Sequence, residues 1–242
     1  MKTWDCIQGS PEWLRLRSGI PTTSEFKKII TPKTGELSKS ADSYMNSLLA
    51  EWMVGHPFEV EAKSKWMERG TELEAEAVKA FEFQEDRETA LAGFITDDSG
   101  MIGCSPDRLI GEDALLEIKC PAHTTHVSYM LTKKPEEEYR PQLQGQLWVT
   151  GRQAVYIVSY HPELPSVIMR VERNEEYIDK LARAVTGFVE VMLDVRGKLE
   201  AQYGPFVRLP KELPADTNPF DIDLDTADVI WDAYQSRMEV TQ

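Results

Sequence analysis

The chain has 242 residues, 41% of them hydrophobic and 28% charged, enough apolar material for one large domain with a packed core. No stretch reaches the ~18 uninterrupted apolar residues of a membrane span, and the first residues lack the basic-then-apolar order of a signal peptide, so a cytoplasmic protein is expected. The net charge of −14 argues against tight nucleic-acid binding by bulk attraction, and three cysteines (Cys6, Cys104, Cys120) suggest a reduced protein rather than a disulfide scaffold.

Ser10-Pro11 reads as an N-cap followed by proline at the first helical position, opening a short helix through Trp13 to Arg17. Thr22, Thr23 and Ser24 can cap a second helix through Phe26 and Ile30. Further helices are expected from about Asp42 to Val54 and from about Lys63 to Gln84. The period then changes. Ala92 to Thr96, Met101 to Ile110 and Ala114 to Lys119 read as strands, with Gly111-Glu112-Asp113 as a turn between the last two. Helices return near His123 to Leu131 and Glu138 to Thr150. Gln153 to Tyr160 and Ser166 to Arg173 form a pair of strands, and a long helix from Asn174 to Gln202 closes the body. This is an α/β protein: a mixed sheet flanked by helices in one domain, residues 1–204.

Residues 205–242 differ in character. Four prolines punctuate the segment, and its acidic residues outnumber its basic ones, which suggests a surface-wrapping tail. Basic clusters occur at Lys27, Lys28 and Lys33, at Lys63, Lys65 and Arg69, and at Lys133, Lys134 and Arg140. Each of these also fits an ordinary solvated surface.

The chemistry concentrates in the second hairpin. If Gly111 to Asp113 is the loop, Ile110 pairs with Ala114 and Asp107 falls opposite Glu117. Directly opposed Cβ atoms lie about 5 Å apart, and like charges there destabilise a sheet. Glu117 also sits in an apolar run where an unpaired carboxylate is costly. Lys119 shares its face, because side chains alternate along a strand. One ammonium against two carboxylates leaves room for a divalent cation, and hard oxygen donors favour magnesium or manganese over zinc. Such a cation would polarise a phosphate and activate water, which Lys119 would orient or deprotonate. A surface hairpin with an ordinary salt bridge is the alternative. Glu74, the acid on the apolar face of its helix with Gly70, Ala77, Val78 and Phe81, should reach toward something positive, as a metal ligand or a partner of the metal's waters.

These residues resemble the PD-(D/E)XK nucleases, here as Ser105-Pro106-Asp107 and Glu117-Ile118-Lys119, and within them the phage lambda exonuclease family of viral recombination nucleases. The outer motifs follow in order: Trp13 to Arg17, Thr22 to Glu25, Gly70 to Glu74, Phe81-Glu82-Phe83, Cys104 to Asp107, Glu117 to Pro121, then Tyr139, Gln142 and Gln144 leading to Trp148-Val149-Thr150. The resemblance implies a PD-(D/E)XK core and a processive, magnesium-dependent 5′-to-3′ exonuclease on double-stranded DNA ends, in a phage or prophage setting. It also implies a ring-shaped homotrimer and a single-strand annealing protein as partner. Asp107, Glu117 and the Ile118 carbonyl would hold metal, with a second Mg2+ sharing Asp107 and Mn2+ able to substitute. Gln142 would contact the active site, and Arg17, Ser24 and Ser105 would bind the 5′-phosphate. A ring softens the objection from charge, since encirclement can replace affinity. The acidic tail departs from the family pattern.

Two other readings stand beside this one. The first is a different PD-(D/E)XK nuclease, structure-specific or single-strand, or an idle nuclease fold serving as a scaffold. The second is a zinc-stabilised binding module built from Cys120, His123 and His126, with Cys104 as a fourth ligand.

Overall fold

The computed structural model describes residues 1–55 and 65–206, with residues 65–72 described by their backbone only. The predicted tail beyond residue 206 and the basic cluster at Lys63, Lys65 and Arg69 lie outside the described side chains.

Two sheets organise the chain. Strands β1 (Lys2–Trp4), β3 (Phe94–Thr96) and β4 (Gly103–Cys104) form a small antiparallel sheet in the order β1-β3-β4. The main sheet comprises β2 (Ala90–Leu91), β5 (Arg108–Ile110), β6 (Ala114–Lys119), β7 (Ala154–His161) and β8 (Leu164–Glu172), side by side as β2-β5-β6-β7-β8. Only β6 and β7 pair in parallel, so the sheet is mixed, as expected. A parallel neighbour requires a crossover, and here it is made by α4 (His123–Thr132) and α5 (Arg140–Thr150), which begin just beyond the end of β6.

Alternation along β6 sorts its side chains between two cores. Leu115 packs with Tyr129 of α4, Leu143 and Leu147 of α5, and Val155 and Ile157 of β7. Leu116 faces the other way, with Phe81 of α3 (Lys65–Glu85), Tyr156 and Val158. Glu117 and Lys119 therefore project on the α5 side. A third cluster packs α2 (Ala41–Val54) and α6 (Glu175–Tyr203) around Phe26, Ile29 and Ile30. The asparagine before α6 caps it: Tyr177 N donates to Asn174 Oδ1 at 2.9 Å.

Three expectations need correction, and one strand carries no sequence signal. Met101 to Ile110 is not one strand: the chain leaves the small sheet after Cys104, passes through Ser105-Pro106-Asp107, and enters the main sheet at Arg108. Pro106 has no N–H to give a ladder, which suits a crossing point. The segment around Ala92 likewise divides into β2 and β3. The helix expected through Ile30 is a 3₁₀ turn, Thr23–Lys28. Strand β1 has no clear periodic signal, being three residues long.

Helix α1 (Pro11–Arg17) starts as anticipated, with Trp13 N donating to Ser10 Oγ at 3.2 Å. Helix α5 lies unusually close to the 3₁₀ turn, because Gly145 faces Phe26. A Cβ at that position would stand 2.7 Å from Phe26 Cδ2 and 3.0 Å from Thr23 Cγ2. Gly145→Ala should therefore destabilise the protein by roughly 1–2 kcal/mol in urea melts, overpacking outweighing the gain of ~1 kcal/mol in helix propensity. Unchanged or higher stability would show that the approach is not tight.

Candidate active site

The β5–β6 hairpin has the register the turn predicts: Ile110 pairs with Ala114, Leu109 with Leu115 and Arg108 with Leu116. Asp107, the next residue outward, lies across from Glu117, and its Oδ2 accepts the Ile118 N–H at 2.6 Å. Glu117 is buried at 3% exposure within the sheet. Its Oε1 accepts from Lys119 Nζ at 2.8 Å and from Gln142 Nε2 at 2.6 Å, while its Oε2 accepts from Gln146 Nε2 at 2.8 Å. The Lys119 ammonium also lies 4.8 Å from the centre of the Tyr139 ring, a cation–π distance.

Burial raises the Asp107 carboxyl well above the usual range, and the charge of Glu117 adds to this; the Ile118 N–H and Lys119 pull the other way. Burial lowers Lys119, but the charge and hydrogen bond of Glu117, with Asp107, outweigh it and push the ammonium up to about 12. Two inward carboxylates, one destabilised as an anion, thus share one cation. That donor set fits a hard divalent ion.

Zinc has no such support. Among the described residues no group of three or more His, Cys, Asp or Glu side chains is placed to hold an ion, which applies to the carboxylate pair as much as to the histidines, so the case against zinc rests on His126. His126 is buried, with Nδ1 engaged by Ser159 Oγ at 2.7 Å and Nε2 by the Pro165 carbonyl at 3.0 Å. Both ring nitrogens are occupied, which overturns the Cys120-His123-His126 module. Cys104 is buried in the core beside Ile95 and Ile102.

Glu74 does reach a positive group. Arg108 Nη1 lies 3.2 Å from Glu74 Oε1 and donates to the Asp107 carbonyl at 2.9 Å. Glu74 and Arg108 line a cleft of about 540 Å³ that also meets Asp5, Gln8 and Glu12. Gln8 Nε2 donates at 2.8 Å to the carbonyls of Ala92 and Pro106, holding the strand crossover beside Asp107.

Arg17, Ser24 and Ser105 also come together. Arg17 Nη2 approaches Ser24 Oγ at 3.3 Å and Thr22 Oγ1 at 3.2 Å, and Nη1 stands 3.5 Å from Ser105 Oγ. Trp13 supports this group twice, donating from Nε1 to Ser105 Oγ at 2.8 Å and lying 4.1 Å beneath the guanidinium. Strand β4 brings Ser105 here, since Gly103 bridges Thr22. Arg17 forms no ion pair among the described residues. A sequestered guanidinium surrounded by hydroxyls has the chemistry to receive an anion. Because Ser24 stands in a short 3₁₀ turn, attraction there would come from Arg17 and the hydroxyls in place of a long helix dipole.

Sequence reasoning missed Arg108 and Gln146, and it read Thr22 as a cap and motif residue without its contact to Arg17. Gln144, which the motif included, faces away: it donates to the Glu172 carbonyl at 2.9 Å and accepts from Asn174 N at 2.8 Å. Gln146 lies one helical turn after Gln142, and that spacing was the available signal.

The family model described as the YqaJ-like viral recombinase domain matches residues 12–153. The crystal structure of an alkaline exonuclease (LHK-Exo) from Laribacter hongkongensis superposes with a TM-score of 0.72 at 31% identity, covering 80% of this chain and 97% of that one. LHK-Exo in complex with dAMP gives 0.71 over the same shares, also at 31% identity. A phage-related exonuclease from Haemophilus somnus 129PT gives 0.59 at 18% identity, over 74% of this chain and 96% of that one, a likeness of fold alone. No curated protein matches the chain.

The raised Asp107 carboxyl carries a stability consequence. Its charged form disfavours the fold as pH rises through the ordinary carboxylate range. Asp107→Asn should therefore raise the Tm of the metal-free protein in EDTA at pH 8, by about 2–4 °C for each kcal/mol relieved. A lower Tm would mean that the charge is not a burden.

Proposed function

The chain belongs to the YqaJ-like viral recombinase family, within the lambda exonuclease family its motifs resemble, and we propose that it is a magnesium-dependent 5′-to-3′ exonuclease of linear duplex DNA. The single observation that carries this reading is the pairing of two sites on one short segment. Ser105 stands in the Arg17 anion pocket and Asp107 faces Glu117, with only Pro106 between them.

Asp107, Glu117 and the Ile118 carbonyl are the residues that would hold a divalent cation, with Glu74 joining directly or through water. The bound ion supplies Lewis-acid stabilisation of the phosphate and a more acidic water. The chain's own groups do the rest. Arg17, Ser24 and Ser105 grip a terminal 5′-phosphate and fix the end of the strand. Lys119, an ammonium beside Glu117, donates from Nζ to orient the attacking water and to offset charge on the phosphate. Gln142 holds Glu117 Oε1 in place. Attack by water at phosphorus breaks the bond to the 3′-oxygen of the terminal nucleotide, which leaves as a 5′-mononucleotide. The next nucleotide keeps a 5′-phosphate, so each cut recreates the group the pocket recognises.

Processivity, a homotrimeric ring and a single-strand annealing partner belong to the same proposal. A net charge of −14 weighs against retention of DNA by bulk attraction, and the proposed ring softens that objection, because a closed channel retains DNA without it. Among the described residues no helix is long and apolar enough to cross a membrane, which is compatible with the proposed setting of a phage or prophage protein in the bacterial cytoplasm.

Linear duplexes bearing 5′-phosphate or 5′-hydroxyl ends, incubated with Mg2+, test the reading. Wild type should digest the phosphorylated end faster. Lys119→Ala should lose about 10²–10⁴-fold in rate on both, and Arg17→Ala should erase the preference between ends. Absence of Mg2+-dependent digestion by the wild type would overturn the proposal, and activity confined to single strands or branched DNA would point to a different nuclease of the same core.

A further inference from the structure

Helix α5 presents two amides to one carboxylate, and they are not equivalent. Gln142 is partly exposed and shares Glu117 Oε1 with Lys119. Gln146 is fully buried at 0% exposure, and among the described residues it is the sole donor to Oε2. Its own carbonyl Oε1 is buried with no hydrogen-bond partner. A buried acceptor left unmet destabilises a fold, and an apolar side chain of similar size would carry no such burden. What the amide contributes is one N–H to the interior oxygen of Glu117. The helix that carries it is held by the close contact of Gly145 with Phe26. With Oε1 fastened by two donors and Oε2 by a third, the carboxylate cannot turn about its last bond without breaking a hydrogen bond.

We propose that Gln146 is a positioning residue for the nuclease reaction: it locks the plane of Glu117 from the dry side and thereby sets divalent-cation affinity and turnover without touching substrate. The inference rests on the metal-dependent reading above. Metal ligands are oriented by the hydrogen bonds behind them, and losing one such partner typically weakens affinity or activity about 10–100-fold.

The test titrates metal-free wild type, Gln146→Leu and Gln146→Met with Mn2+ by calorimetry in the absence of DNA. It then measures kcat and KM on 5′-phosphorylated linear duplex at saturating metal. Both variants should bind Mn2+ roughly tenfold more weakly and lose about 10–100-fold in kcat, with KM for DNA ends changed less than about twofold. A residue that merely fills the core would not produce this split. A third measurement needs no substitution: in wild-type protein labelled with ¹⁵N-glutamine, Mg2+ should shift the buried Gln146 side-chain amide resonance. Variants that match a Mn2+-binding, active wild type overturn the role of Gln146 alone, as does an amide signal unmoved by saturating Mg2+. A wild type that binds no Mn2+ and digests no duplex takes the metal-dependent reading down as well.

Discussion

The structure turns on taking the Glu117 carboxylate out of water. An isolated buried charge costs more than the whole net stability of a domain, about 5–15 kcal/mol, so the protein must surround it with donors. Strand β6 can supply only one on the same face, Lys119, because its next side chains point the other way. The remaining two come from α5, which must then lie close against the sheet. That requirement sets the position of the 3₁₀ turn on the outer side of α5, through the contact of Gly145 with Phe26 and Thr23. The same turn carries Ser24 and is bridged to β4 at Thr22. Carboxylates, amide helix and the hydroxyls around Arg17 thus form one chain of consequences.

Local positive charge is distributed in the same spirit. The molecule carries a net −14, yet Arg17, Arg108 and Lys119 converge around the hairpin and its approach. Charges in a low-dielectric recess act far more strongly than charges spread over a wet surface. The surface of an acidic protein and the character of its site are therefore separable. The pairing of these cations is informative too: Glu74 pairs with Arg108, whereas among the described residues Arg17 is contacted by hydroxyls and the face of Trp13 and forms no ion pair.

Much of this is legible in the sequence, and the reasons differ by element. The hairpin register follows from the Gly111–Asp113 turn, since a loop of fixed length leaves one pairing that keeps Leu115 on a buried face. Glu74 announces itself as an acid on an apolar helix face. Gln146 does not, because an amide on a helix looks the same whether it meets solvent, a carbonyl or a carboxylate. Gln144, two residues earlier, holds the start of α6, and only the docking angle of α5 separates the two roles. The break between β4 and β5 is hidden for a related reason. Cys104 and Arg108 both lie in extended chain, and the change of sheet between them is a tertiary event that Pro106 permits but does not announce. The 3₁₀ turn at Thr23–Lys28 is beyond helical periodicity because six residues span too few turns to show one.

The Ser105-Pro106-Asp107 crossing has a further consequence. One end belongs to the Arg17 cluster and the other to the carboxylate pair, and Gln8 holds the carbonyl between them. Two residues of extended chain span no more than about 7 Å, and proline stiffens the middle. The backbone spacing of Ser105 and Asp107 is therefore set by covalent geometry, whereas Arg17 and Glu117 are placed beside them by α1 and β6. Under the proposed function, this fixed spacing would measure the substrate in equal steps. The increment removed would then be written into the backbone of a tripeptide, and lengthening that tripeptide by a residue would change the unit of measure before it changed the chemistry.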